Sequence, residues 1–298
     1  MRKKSRSFAA LDMVYIAMMV LPIVAAIALK VLTRGPSDGV SITGAQIFFT
    51  IPMPLQDLPI TESQVNAWCV MVSIVGLCLF LTHGLSTREV SGRQHLAEWV
   101  VEAVDKLVKS GMGEYFMGFA PFVAAILALS GFSSLLALFG LFAPTSDMNV
   151  VSGWAVLVFF LITYYKMKCG PITYIKNMAD PPLLAPLNII SEVATPISMA
   201  FRHYGNVLSG SVISVLVATA LQGLTRLLLG WLPGFLGDIP FLQIGIPAVL
   251  SIYFDIFSGC LQAYIFAMLT MMYVSGGFPM EEYLARKAKK QQKKTETN

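Results

Sequence analysis

The sequence predicts an all-α polytopic membrane protein: about six transmembrane helices, the last two long and tilted, plus one amphipathic helix lying along the membrane interface. Three observations carry this. The 298 residues are 56% hydrophobic and only 13% charged, and the mean hydropathy is +0.69, which is too apolar for an ordinary soluble domain. The apolar residues are gathered into blocks of the roughly 20 residues that a crossing requires. Finally, 17 of the 21 Lys and Arg residues fall in alternate connections: four in the N-terminal tail, four after the second block, three in the middle loop and six in the C-terminal tail. Such alternation satisfies the positive-inside rule with six spans and both termini cytoplasmic.

Taken in order, MRKKSRS precedes an apolar run, Met13 to Leu29. It reads as a retained first helix, longer than most signal-sequence cores, with a cleavable signal sequence as the alternative. Lys30 and Arg34 can snorkel from its far end. Residues 35–63 are rich in Pro, Gly and turn formers, so an external connection with at most short strands is expected. Val65 to Leu81 forms the second span. In the charged segment after it, Leu96, Val100, Ala103, Val104, Leu107 and Val108 recur at helical spacing, which marks the interfacial helix.

Tyr115 to Phe142 makes a third span ending at a turn, and Met148 to Tyr165 a fourth. A basic loop with Lys166, Lys168 and Lys176 follows. The next apolar run, Leu183 to Leu229, is too long for one upright crossing at 1.5 Å per residue, so it must tilt or break. GWLPGFLGDIP turns the chain outside, and a run from Phe241 to Val274 returns it to the basic tail, residues 279–298. The four cysteines have neither metal-ligand nor disulfide spacing, and there is no nucleotide-binding loop, internal repeat or soluble domain. No cofactor, metal or nucleic acid is expected.

Arg202 is the residue that demands a reason. An Arg near a bilayer centre costs roughly 2.5–3.5 kcal/mol on insertion scales, so it faces a partner or a water-filled path. On its helix, Thr195, Ser198, Arg202, Asn206 and Ser209 are separated by 3, 4, 4 and 3 residues and share one face. On the last helix, Ser251, Asp255, Ser258 and Gln262 are separated by 4, 3 and 4, giving a second stripe that can face the first. Ser and Thr positions are better explained as interhelical hydrogen-bond glue. Arg202, Asp255 and Glu192 are not, and Glu192 lies about 15 Å below the arginine along the helix. His203 points away from the arginine's face and reads as a packing residue. Asp147 and Asn149 open the fourth span from outside, where they are candidates for water access.

PLNIISE, SMAFRHYGNVLSG and LQAYIF, with PTSDMNV ahead of the fourth span, resemble subunit a of bacterial F-type ATP synthases over about residues 55–278. The resemblance implies a division into a basic tail with an added helix (1–34), an external connection (35–63), the subunit a membrane domain (64–278) and a cytoplasmic tail (279–298). It also implies a non-catalytic stator in a bacterial inner membrane, its last helices tilted against a ring of c subunits. The partners would be that ring, the b subunits, the remaining ATP synthase subunits and lipid. Two offset half-channels would pass protons to and from the ring carboxylates, or Na+ in a sodium-translocating version.

In that pattern Arg202 takes the essential stator position, Asn206 its neighbour one turn on, and Gln262 the glutamine facing it; Glu192, Asn188 and Ser198 fall on matching polar positions. Two positions depart from the pattern. Ser211 stands where some members carry a carboxylate, and Asp255 where they carry a histidine, so Asp255 is expected to supply the titratable group of an outer path that includes Ser211, Ser251 and Ser258. The rival class is a secondary transporter binding an anionic substrate at Arg202. Against it stand the lack of inverted repeats and of paired broken helices.

Overall fold

The computed structural model describes residues 6–33, 44–54, 56–86, 90–168, 170–171, 174, 178, 183, 185–229, 245, 249–250, 252–281 and 283–284. The first five residues, Arg34, Arg88, Lys176, the GWLPGFLGDIP turn, Ser251 and residues 285–298 of the basic C-terminal tail lie outside the described residues. Among the described residues, six helices are long and apolar enough to cross a membrane, as the sequence predicts.

Helix α1 (Arg6–Thr33) is followed by a two-stranded antiparallel hairpin, β1 (Ile47–Ile51) and β2 (Leu58–Thr61), the short strands expected of the external connection. Thr61 donates its N–H to the Gln64 side chain at 3.4 Å, a capping-box contact that starts α2 (Glu62–Thr82). The interfacial helix α3 (Gly92–Met112) starts where the Ser91 hydroxyl accepts the Gln94 N–H at 3.3 Å. It ends at Gly113, whose φ of +85° a side chain would resist. Its apolar stripe begins exposed at Leu96 and Val100 and ends buried at Val108 and Met112, so its second half docks against the helical core.

The third crossing begins as a 3₁₀ turn (Glu114–Phe119) and continues as α4 (Ala120–Leu138). A short 3₁₀ turn (Pro144–Ser146) leads into α5 (Met148–Lys168), and α6 (Ala185–Leu229) is one helix of 45 residues with Pro196 inside it. The last crossing is not uniform. A π-helical stretch, Ile252–Ser258, precedes α7 (Gly259–Gly276). The hydrophobic core lies where α3, α4, α5 and α7 meet, around Val108, Phe116, Phe119, Val158, Phe266 and Met271. Large apolar side chains such as Met13, Leu21, Phe160, Ile190 and Phe201 stay exposed, a surface suited to lipid or to partner helices.

At one point α1 touches α2 backbone to side-chain position: a Cβ at Gly76 would meet the Met19 nitrogen at 2.9 Å and the Met18 Cβ at 3.2 Å. Gly76→Val is therefore expected to push α1 away, costing about 1–3 kcal/mol by overpacking. Thermal unfolding in detergent checks this, together with loss of a cross-link engineered between the two helices.

Candidate functional site

Helix α6 buries a narrow line. Met199, Ala200 and His203 are buried, and the His203 ring sits 6.0 Å from Trp154 of α5 and 5.6 Å from Phe266 of α7. Both ring nitrogens lack hydrogen-bond partners, so His203 serves here as a packing wedge, as expected of it. Successive helical residues point about 100° apart, and fixing His203 inward therefore turns Arg202 outward. Ser198, Arg202, Gly205 and Ser209 are all exposed. Among the described residues Arg202 makes no hydrogen bond or ion pair.

The predicted stripe consequently divides. Asn206 faces inward enough for its Nδ2 to donate to the Ser258 hydroxyl at 2.8 Å, which ties α6 to the π-helical stretch. Gln262 is buried on α7, 5% exposed, and no hydrogen bond joins it to the exposed Arg202. The π-helical stretch is the physical reason that the second stripe departs from simple 3.6-residue spacing, because its wider turns rotate the residues ahead of Gln262. Close approach holds this region together. A Cβ at Gly210 would meet the Phe254 side chain at 3.2 Å, and one at Gly259 would collide with Ser134.

Two cavities open on α6 at opposite ends of the Arg202 segment. The first, about 570 Å³, is lined by Lys166, Tyr174, Asn188, Glu192, Thr195 and Tyr273 among others. Lys166 Nζ donates to Glu192 Oε1 at 2.8 Å, and Asn188 Nδ2 donates to the Met178 carbonyl at 3.2 Å. Burial, then the Glu192 charge and the hydrogen bond donated to that carboxylate, push Tyr174 up to about 12. Its phenol therefore remains a donor over the physiological range.

The second cavity, about 600 Å³, is lined by Lys30, Ser134, Thr145, Tyr204, Ser211 and Asp255 among others. Thr145 Oγ1 and Ser214 Oγ on its wall are buried without protein partners, the setting in which ordered water is held. Ser211 donates back to the Leu208 carbonyl at 2.8 Å. Asp147 accepts from the Ser63 hydroxyl and, at 2.9 Å, from the Asn149 N–H. It thereby anchors the start of α5 beside α2, and neither Asp147 nor Asn149 lines the cavity of Asp255.

The family model described as ATP synthase A chain matches residues 65–275. The chain belongs to that family. It is 35% identical over 237 residues to ATP synthase subunit a of Priestia megaterium, covering 74% of this chain and 94% of the relative. To that of Legionella pneumophila strain Philadelphia 1 it is 29% identical over 228 residues, 76% and 90%. To "ATP synthase subunit a, sodium ion specific" of Propionigenium modestum it is 24% identical over 276 residues, 82% and 88%. As a subunit a of the membrane sector, the protein is a multi-pass membrane component of an ion-transporting assembly with other ATP synthase subunits.

Within this family scaffold, several polar contacts escape sequence reasoning. The pairs Lys30–Glu62, Arg93–Asp12 and Lys166–Glu192 join residues 32, 81 and 26 positions apart at 3.0, 3.0 and 2.8 Å. Glu62, Ser63 and Asn66 are all buried at the start of α2. The signal that was available is a crowded polar first turn, ESQVN, opening an otherwise apolar span. Tyr204, whose adjacency to Arg202 favours packing over proton relay, also lines the second cavity.

Because Glu192 is largely buried, Lys166→Met leaves its charge without its cation and is expected to destabilise the protein. The cost should fall below the roughly 3–5 kcal/mol of a fully buried pair. Lys166→Met/Glu192→Gln should recover most of the loss in thermal unfolding.

Proposed function

We propose that this chain is the stator of the ion motor, providing two offset half-channels that meet the c-ring carboxylates on either side of Arg202. The observation that carries the reading is the pair of separate cavities. One is lined on α6 by residues 188–195 and the other by residues 204–215, with the exposed arginine between them. In this reading Glu192, Asn188 and Thr195 form the inner path, with Lys166 and Tyr174 holding the carboxylate. Asp255, Ser211, Ser258 and Ser251 belong to the outer path, with Asp255 as its proton-exchanging group; Asp147 and Asn149 brace its wall.

Arg202 attracts a ring carboxylate that has lost its proton, and by holding its own proton it blocks direct leakage between the paths. Ser198, Gly205 and Ser209 keep the surface beside it small enough for a ring helix to approach. Asn206 and Gln262 support the helix pair behind it. Each charge that crosses the field is worth about 2.3 kcal/mol per 100 mV, and biased ring rotation carries that free energy to ATP synthesis.

The added helix (1–34), the connection (35–63) and the tail (279–298) flank a membrane domain at 64–278, consistent with a family match that begins after α1. The distribution of Lys and Arg supports a bacterial inner-membrane location with both termini cytoplasmic. The c-ring and b subunits are the proposed neighbours. The proposed ion is H+. Na+ is the second reading, favoured by the resemblance to the sodium ion specific relative, and ATP-driven acidification of vesicles with and without sodium separates the two.

Arg202→Ala is expected to abolish ATP-driven pumping, a loss of at least about 100-fold, while the chain still inserts and co-purifies with its complex. The measurement is quenching of a pH dye in vesicles. Normal coupled pumping by that variant contradicts the assignment.

A further inference from the structure

Lys30 stands in the last turn of α1, outside the region matched by the family model. Its Nζ lies 3.0 Å from Glu62 Oε1, and the Glu62 side chain is only 5% exposed. The same Glu62 oxygen accepts the Phe142 N–H at 3.2 Å, and the Phe142 carbonyl accepts from Asn66 at 2.8 Å. The pair is thus built into the segment that walls the Asp255 cavity, and Lys30 itself lines that cavity. An ion pair that served only the surface would contribute little and need no such setting. A carboxylate this buried depends on its cation.

We propose that Lys30 is a residue of the ion path: with Glu62 it forms the charged lip of the Asp255 cavity and sets the proton concentration over which the outer path works. This rests on the half-channel reading above. Among the described residues, the titratable groups at this lip are Lys30 of α1, Glu62 of α2, Tyr204 of α6 and Asp255 of the π-helical stretch, with Asp147 ahead of α5 set behind it on Ser63, the neighbour of Glu62. Joined, Lys30 and Glu62 sum to no net charge. Removing the lysine leaves the lip one unit more negative, which favours proton binding nearby and moves uptake to higher pH. Removing the Glu62 charge leaves the lip one unit more positive and moves uptake to lower pH.

The test uses the whole complex in proteoliposomes, with ATP synthesis measured against pH on the uptake side at fixed membrane potential and normalised to assembled complex. Lys30→Met is expected to raise the half-maximal pH by about one unit, a tenfold change in proton concentration. Glu62→Gln is expected to lower it by a similar amount, and Lys30→Arg to keep it. Opposite shifts are a signature that damage to the fold does not produce, and each single variant can be read if the other fails to assemble. A uniform loss of rate with unmoved midpoints, or shifts in the same direction, overturns the proposal. Asp255→Asn, measured alongside, separates the two levels. If it leaves synthesis unimpaired the outer-path reading falls and the lip with it; if it impairs synthesis while the Lys30 and Glu62 variants keep the original midpoint, only the lip proposal falls.

Discussion

The rotation of α6 about its own axis is the constraint on which the rest of the molecule depends. Met199, Ala200 and His203 are buried, and His203 is wedged between Trp154 and Phe266. Once these are inside, helical geometry leaves Arg202 no choice but the outer surface. An arginine there, exposed in a chain that spans a membrane and without a counter-charge among the described residues, is costly in isolation. The cost is tolerable in an assembly that brings a carboxylate past it. In the proposed reading this is half a site, whose other half is a carboxylate of a neighbouring subunit.

The two ends of α6 are prepared differently. Toward its start, Glu192 is held by Lys166 and Tyr174 beside one cavity. Toward its middle, the Asn206–Ser258 hydrogen bond and the close approaches at Gly210 and Gly259 bring the π-helical stretch against α6 and α4. A π-helical turn inside a long helix redirects side chains without ending the crossing. Here it carries Asp255 onto the wall of the second cavity, where a regular helix is the expectation from spacing alone.

Much of the fold is legible in the sequence, because apolar block length reports directly on which helices can cross a membrane. The span boundaries, the interfacial helix and the prominence of Arg202 follow from that patterning. So does the packing role of His203, which needs only the angle between adjacent residues. The split of the Thr195–Ser209 stripe does not follow, since a five-residue polar face cannot say which members turn toward a neighbouring helix. The polar first turn ESQVN marks Glu62 as unusual, but nothing in the sequence joins it to Lys30. Their pairing depends on α1 packing against α2 across the hairpin, and such contacts leave no periodicity to read. The π-helical stretch, where Phe254 packs close against Gly210, leaves no mark in the residue spacing either.

The central claim is that the two cavities flanking Arg202 are reached from opposite sides of the membrane and do not join. Its most direct measurement is sided labelling, with Cys69, Cys78, Cys169 and Cys260 replaced by serine and a single cysteine introduced by Thr195→Cys or Ser211→Cys. A membrane-impermeant thiol reagent applied to oriented vesicles carrying the assembled complex should modify the Thr195→Cys protein only from the cytoplasmic face. The Ser211→Cys protein should react only from the opposite face. Labelling of both positions from the same face, or of either one equally from both, contradicts the account.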